Sequence, residues 1–271
     1  MTRTLVTGAA GFTGRYLTSL LARRGHEVHG VIYHEPDEAV IDAAALHSAD
    51  LADRDAILRV VEQVRPDHVV HLAAIAFVGH DDIGEMYRAN VYGNTRSGVL
   101  DEAMLPAPAN DYGVSKAAAE YVGRLYAEKL PLITVRPFNY TGRGQDENFL
   151  IPKIIAHARR RAPVIELGNL DVARDFSDVR TVVDAYARLL DSPAAIGGTF
   201  NICSGLAVRL DEILELVASL SSHRPEVRIN PALVRADEVK TLSGSSAKLE
   251  AVIGELKGIG LADTLRWMLE D

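Results

Sequence analysis

Tyr112 and Lys116 stand four residues apart in the run Asp111-Tyr112-Gly113-Val114-Ser115-Lys116. In a helix, residues four apart share one face, about one turn from each other. An ammonium beside a phenol favours the phenolate and draws its pKa down from an ordinary value of about 10. A tyrosine so placed can act as a general acid or base near neutral pH. The same spacing also arises in plain surface pairs, so the pattern takes its weight from what surrounds it.

The second constellation lies near the start of the chain. Thr7-Gly8-Ala9-Ala10-Gly11-Phe12-Thr13-Gly14 follows an apolar strand, Thr4-Leu5-Val6, and opens a helix over Phe12 to Arg24. Glycines at this spacing permit a tight turn, let the backbone approach a pyrophosphate, and let the helix pack on the strand. The helix N-terminus then faces the phosphates. The loop therefore predicts a dinucleotide cofactor, with Gly8, Gly11, Phe12 and Gly14 at its contact. At the end of the next strand, Glu27 to Ile32, the chain reads Tyr33-His34-Glu35. Glu35 can accept a ribose 2′-hydroxyl, and no Arg stands there for a 2′-phosphate. This leans toward NAD and leaves NADP open.

The bulk properties narrow the function classes. A chain of 271 residues fits one large α/β domain, or a core with a smaller lobe. A net charge of −8 argues against nucleic acid or an anionic membrane as partner. One cysteine, Cys203, excludes an internal disulfide and a zinc cluster and is expected as a small core residue at a strand end. No metal site is predicted. No long apolar run suggests a membrane span, and residues 1–7 read as a strand rather than a signal peptide, so the chain is expected to be cytoplasmic.

These residues must be positioned by alternating strands and helices. Leu17, Leu20 and Leu21 share a face of the first helix, which Gly25 stops. Helices are predicted near 53–64, 82–96, 112–129, 148–161, 178–191, 209–221 and 261–269. Strands are predicted at 68–72, 132–136, 163–167, 199–202 and 226–230. The fold class is α/β: a Rossmann-type doubly wound parallel sheet with a smaller interleaved C-terminal substrate lobe. The dinucleotide-binding domain is expected over 1–137, with 175–203 returning to it. The substrate lobe takes 138–174 and 204–271.

Gly8-x-x-Gly11-x-x-Gly14 with Tyr112-x-x-x-Lys116 resembles the extended short-chain dehydrogenase/reductases that act on nucleotide sugars. Further landmarks are similar in order along nearly the whole chain. Asp50-Leu51 resembles the pair that meets adenine, and His71-Leu72-Ala73-Ala74 the strand end that lines the cofactor. Asn90 matches the helix asparagine that supports the active site. Arg136-Pro137-Phe138-Asn139, Glu147-Asn148-Phe149, Leu167-Gly168-Asn169-Leu170-Asp171 and Arg174-Asp175-Phe176-Ser177-Asp178-Val179-Arg180 resemble the branch that handles GDP-linked 6-deoxyhexoses. Within that branch the last run is most similar to the 4-keto reductases, and Asn148-Phe149 with Gly168 to Asp171 also to the 4,6-dehydratases. Arg235 and Glu238 resemble the pair that meets the nucleotide's phosphate and ribose.

The resemblance implies a GDP-linked sugar as substrate, NAD or NADP as cofactor, and a homodimer pairing the helices near 82–96 and 112–129. It implies Tyr112 and Lys116 as catalytic residues and Asn139, Asn148, Arg174, Arg235 and Glu238 as substrate contacts. A sugar diphosphate needs fixed guanidinium donors, which Arg174 and Arg235 can supply. Arg174 can equally be a structural partner of Asp175 or Asp178.

One departure stands out. The family carries a Ser or Thr on a central strand before the tyrosine, to bond the reacting oxygen. Only 21 residues lie between Asn90 and Tyr112. The stretch Val99 to Pro108 has one β-branched residue, two prolines and two acids, so it reads as no strand. Against the family pattern and the needs of a parallel crossover, roughly thirty residues are missing. An unresolved stretch near Thr95 to Gly98, a true deletion and a rerouted fold are the three readings. Ser97 has no positional claim to the role, and Ser115 points off the Tyr112–Lys116 face.

Overall fold

The computed structural model describes residues 1–33, 41–73, 92, 98–108, 111–234 and 239–270, with Tyr112 described by its backbone. The contacts group the chain into two compact units, Met1–Ile75 with Val183–Asp191, and Ala76–Val182 with Ser192–Asp271.

In the first unit, β1 (Arg3–Thr7) leads through the glycine loop into α1 (Phe12–Arg23), and β2 (Glu27–Ile32), β3 (Ala45–Ser48), α2 (Arg54–Val64) and β4 (His68–His71) follow. The strands form one parallel sheet in the order β3-β2-β1-β4. Such a sheet buries both faces, and β1 accordingly reads as a continuous apolar run with Leu5 and Val6 buried. α1 buries Gly14, Leu17, Thr18 and Leu21, residues one turn apart. Leu20, expected on the same face, is half-buried at its edge. Asp53 caps α2, its side chain accepting from the backbone N–H groups of Asp55 and Ala56. Leu5, Val31, Ala49, Val60 and Val64 close the core on the α2 side.

The second unit contains β5 (Gly98–Leu100), α3 (Asp111–Leu125), β6 (Thr134–Pro137), β7 (Asn139–Thr141), α4 (Leu150–Arg159), β8 (Val164–Leu167), β9 (Ala173–Asp178), β10 (Thr199–Ile202), β11 (Ala207–Arg209), α6 (Leu210–Ser221), β12 (Glu226–Ile229), β13 (Thr241–Gly244), α7 (Ala247–Ile253) and α8 (Leu261–Leu269). Helix α5 (Val179–Leu190) follows β9 directly. β6 pairs in parallel with β10, β8 with β12, and β9 carries β7, β11 and β13. A core of Ile151, Ile154, Ile155, Ile165, Leu167, Phe176, Ile213, Val217, Leu265 and Met268 joins α4, α6 and α8 to β8 and β9.

The architecture is the α/β, parallel-sheet class that the alternation predicts. Most predicted elements appear within two or three residues, whereas α3 ends at Leu125 rather than 129. The helix predicted over 82–96 falls outside the described residues, apart from Tyr92.

The segment read as having no strand corrects that reading in part. Gly98–Leu100 is a short strand, parallel to β13 with Ser243 opposite Val99. The partner's ladder makes it, not its own propensity: Val99 is largely exposed and Leu100 alone is fully buried. It is not the strand the family pattern calls for. Among the described residues β4 pairs only with β1, β6 only with β10, and β5 joins neither. Residues 95–97, at the place named for an unresolved stretch, lie outside the described residues.

Candidate active site

The glycine loop is built by close approach. Gly8 has φ +71, a left-handed conformation that side chains resist, and a Cβ there would lie 2.9 Å from the Cα and N of Ala73. A Cβ on Gly14 would lie 2.2 Å from the Gly8 carbonyl oxygen and 2.7 Å from that of Ala9. Gly11 is the N-cap of α1 and supplies no side-chain cap. The loop is tied to the sheet by Gly8 N–H donating to the Val31 carbonyl at 3.0 Å, and Gly11 N–H donates back to Gly8 at 3.0 Å. Thr7 Oγ1 accepts from the Ala73 N–H at 3.3 Å and meets His71 Nδ1 at 2.9 Å.

Three groups of residues expected at the cofactor thus follow parallel strands at their carboxyl ends. Gly8 to Gly14 follow β1, Leu72 and Ala73 follow β4, and Asp50 with Leu51 lies just beyond β3. Leu72 and Ala73 pack directly on Gly8. Asp50 and Leu51 are exposed, and Asp50 Oδ1 accepts from the Ala52 N–H at 2.8 Å. A backbone cradle with no room for side chains, opening onto a helix N-terminus, fits the pyrophosphate of a dinucleotide. His34, Glu35, Ala74 and Asn90 lie outside the described residues.

In the second unit, Tyr112 and Lys116 both fall on α3, one turn apart, as their spacing predicts. Lys116 is half-buried, and burial holds its ammonium below the ordinary lysine range. Ser115 is exposed, in keeping with its place off that face. Asn139 begins β7 and donates through Nδ2 to the Asp175 carbonyl at 3.4 Å. Asn148 lies in the exposed turn before α4, where its N–H donates to Asp146 Oδ1 at 2.7 Å. Arg174 donates through Nη1 to the carbonyls of Ala173 at 2.9 Å and Lys240 at 3.4 Å. Arg235, Glu238 and Ser97 lie outside the described residues.

The two carboxylates weighed as partners of Arg174 have other work. Asp175, fully buried, accepts from Ser204 N–H at 2.8 Å, Ser204 O–H at 2.6 Å, Gly205 N–H at 2.9 Å and Gly244 N–H at 3.2 Å. Asp178 binds Arg180 through Nε at 2.9 Å and Nη2 at 2.6 Å, and takes the Thr264 hydroxyl at 2.7 Å. Cys203 is buried just after β10, as expected. Burial first, and then the Asp175 carboxylate, push its thiol up to about 12, which leaves it unreactive.

A buried network went unseen in the sequence: Arg136 on β6, Glu120 on α3, Tyr92 and Asn201. Its one legible signal was an arginine inside a strand that proline ends, sixteen residues after an acid on the tyrosine helix.

The model of the NAD dependent epimerase/dehydratase family matches residues 4–97, and that of GDP-mannose 4,6 dehydratase matches residues 88–268. The chain belongs to the NAD dependent epimerase/dehydratase family. Aligned over 92% of its length, it is 32% identical to GDP-6-deoxy-D-talose 4-dehydrogenase of Aggregatibacter actinomycetemcomitans, of which 90% is covered. It is 30% identical to GDP-6-deoxy-D-mannose reductase of Pseudomonas aeruginosa over 99% of this chain and 96% of that protein. Among solved structures, one assigned as an epimerase from Burkholderia cenocepacia J2315 superposes with a TM-score of 0.91 at 43% identity, covering 99% of this chain and 97% of that one. RMD from Pseudomonas aeruginosa, complexed with NADPH, superposes at 0.77 with 28% identity, covering 100% and 98%. The match to the mannose reductase spans 307 positions against the 271 residues here, so at least 36 of its positions have no counterpart. That shortfall is comparable in size to the roughly thirty residues that the family pattern leads one to expect before Tyr112. Among the described residues no helix is long and apolar enough to cross a membrane, and no cluster of three or more side chains could hold a metal.

Proposed function

We propose that this protein reduces the 4-keto group of a GDP-4-keto-6-deoxyhexose, using NADH or NADPH, to a product of the GDP-D-rhamnose type. The observation that carries the reading is the pair of relatives named for GDP-6-deoxyhexoses, at 32% and 30% identity along more than nine-tenths of the chain. The chemistry that a reduced nicotinamide supplies when bound is a hydride, which C4 of the sugar takes up. Tyr112 gives its phenolic proton to the developing C4 alkoxide, so that the C=O becomes CH–OH. Lys116 favours the tyrosinate left behind and holds the nicotinamide ribose.

Gly8, Gly11, Phe12, Gly14, Asp50, Leu51, Leu72, Ala73, Ala74 and Asn90 hold the cofactor. Arg174 and Arg235 take the diphosphate, and Asn139, Asn148 and Glu238 the rest of the nucleotide sugar. Residues 1–137 with 175–203 bind the dinucleotide, and 138–174 with 204–271 the substrate. The protein works in the cytoplasm as a homodimer. Val114, Tyr121, Val122 and Leu125 support the dimer, forming an exposed apolar stripe along α3.

Two other readings each have an observation behind them. The dehydratase family model favours a GDP-mannose 4,6-dehydratase. The shortfall of at least 36 positions against the mannose reductase, 307 against 271, favours a cofactor-binding protein with impaired catalysis. Incubation of the intact chain with NADH or NADPH and GDP-4-keto-6-deoxymannose separates them. The reductase consumes reduced cofactor; a dehydratase instead acts on GDP-mannose alone; the impaired protein binds cofactor and does neither. Tyr112→Phe is expected to abolish turnover and spare cofactor binding, and a fully active variant rules out its role.

A further inference from the structure

Arg136 is 4% exposed, yet it carries a full charge in the second unit's core. Its Nε and Nη2 donate to the two carboxylate oxygens of Glu120, each at 2.8 Å. Its Nη1 donates to the Tyr92 hydroxyl at 2.9 Å, and the guanidinium carbon lies 4.8 Å from the centre of the Tyr92 ring. The Tyr92 hydroxyl donates in turn to Asn201 Oδ1 at 2.7 Å. Asn201 N–H donates to Glu102 at 2.7 Å, and Asn201 Nδ2 to the Leu100 carbonyl at 3.2 Å. The network joins α3, β6 and β10 to Leu100 of β5 and to Glu102 just after it. Burial opposes the Arg136 charge, and Glu120 and Tyr92 more than offset it, so the guanidinium is held charged more firmly than usual.

The spacing on α3 gives this pair a second meaning. Glu120 lies four residues after Lys116, as Tyr112 lies four before it. An unpaired carboxylate at that position would bond the Lys116 ammonium. Arg124, on the far side, lies 3.9 Å from Glu120 with its side chain 56% exposed, too weak a competitor to hold it. We propose that Arg136 is a positioning residue for proton transfer, because its bidentate grip turns Glu120 away from Lys116 and so keeps that carboxylate out of the Tyr112–Lys116 pair. Among the described residues, the charged and titratable groups that meet the Arg136–Glu120 pair are Arg124 and Tyr92 and, through Asn201, Glu102, with Lys116 one turn away on α3.

The inference rests on the reading of Tyr112 and Lys116 as the proton-transfer pair, but its test needs neither nucleotide nor sugar. The rate at which an amine-reactive acylating reagent labels Lys116 in the full chain, followed by mass spectrometry across pH, reports how firmly the ammonium holds its proton. Arg136→Met frees Glu120, and labelling of Lys116 near pH 8 is expected to slow severalfold. Glu120→Gln leaves Arg136 without its counter-charge, and labelling is expected to quicken. The double variant Arg136→Met/Glu120→Met leaves no buried charge unpaired and is expected to return to the wild-type rate. If Arg136→Met does not fold, Arg136→Lys, which keeps the charge and loses the fork, is expected to slow labelling in the same direction by less. A folded Arg136 variant with unchanged labelling overturns the proposal, as does a double variant displaced as far as the single one. With a GDP-4-keto sugar, Arg136→Lys is expected to lower kcat and leave KM within about twofold. Absence of turnover in every form would strike the reductase reading and leave the labelling result standing.

Discussion

The glycine loop offers a prediction in which two physical effects can be separated. At Gly14 the barrier to a side chain is contact: a Cβ would stand 2.2 Å from the Gly8 carbonyl oxygen, with no left-handed backbone involved. That is more than 1 Å inside the separation at which packed atoms rest. Gly25 presents the converse, a φ of +83 with nothing within 4 Å of a Cβ. Gly8 combines both, a φ of +71 and the Ala73 backbone 2.9 Å away. Gly25→Ala is therefore expected to cost about 1–2 kcal/mol of stability, the strain of a left-handed alanine, and to leave cofactor affinity untouched. Gly14→Ala gains about 1 kcal/mol of helix propensity and loses about 1–3 kcal/mol to overpacking, so its stability falls by up to about 2 kcal/mol. Its cofactor affinity should collapse, because relief of the contact moves α1 away from the loop. Each charge-assisted hydrogen bond so lost is worth about 1.5–3 kcal/mol, tenfold or more in Kd. Gly8→Ala should lose both stability and affinity. Thermal unfolding, together with titration of NADH and NADPH by cofactor fluorescence, reads the three variants. Wild-type affinity in Gly14→Ala, or an equal loss of affinity in Gly25→Ala, would refute the reasoning.

Two further outcomes are expected. Asp175→Asn turns an acceptor of four hydrogen bonds into a group that must aim N–H donors at N–H donors; with Asp175 fully buried, the loss should be about 2–4 kcal/mol, seen as a lower denaturant midpoint at unchanged slope. His47 is held below its ordinary 6.5 by burial and then by His29, whose Nδ1 lies 3.1 Å from His47 Nε2. The unfolded chain then binds that proton more readily than the folded one, so stability is whole above 6.5 and falls as pH drops through the lowered value. In His47→Gln that part of the acid slope should vanish; a slope identical to wild type would count against the assignment.

The amount legible in the sequence followed from how local each cause was. β1, α1 and β2 declare themselves because their apolar periods and the Gly25 stop are properties of neighbouring residues. The i to i+4 spacing likewise placed Tyr112 and Lys116 on one helix face without any knowledge of the fold. Strand β9, Ala173–Asp178, did not read as a strand: its charges look solvated until Asp175 and Asp178 are seen fully buried against donors from distant segments. β5 was invisible for the same reason, since its ladder is lent by β13, some 140 residues away.

What the sequence determined by itself was the order of its candidate groups along the chain. The glycine spacing, the Tyr–Lys pair and the short run before Tyr112 are facts of order along the chain. Tertiary structure alone decided which charges face one another. It gave Glu120 to Arg136 rather than leaving it to Lys116, set Asp175 on the Ser204–Gly205 turn rather than on Arg174, and brought Ala73 against Gly8. Those pairings join residues 16 to 65 positions apart, and burial is what makes each one matter. An unpaired charge or a misplaced methyl costs little in water and several kcal/mol in a packed interior.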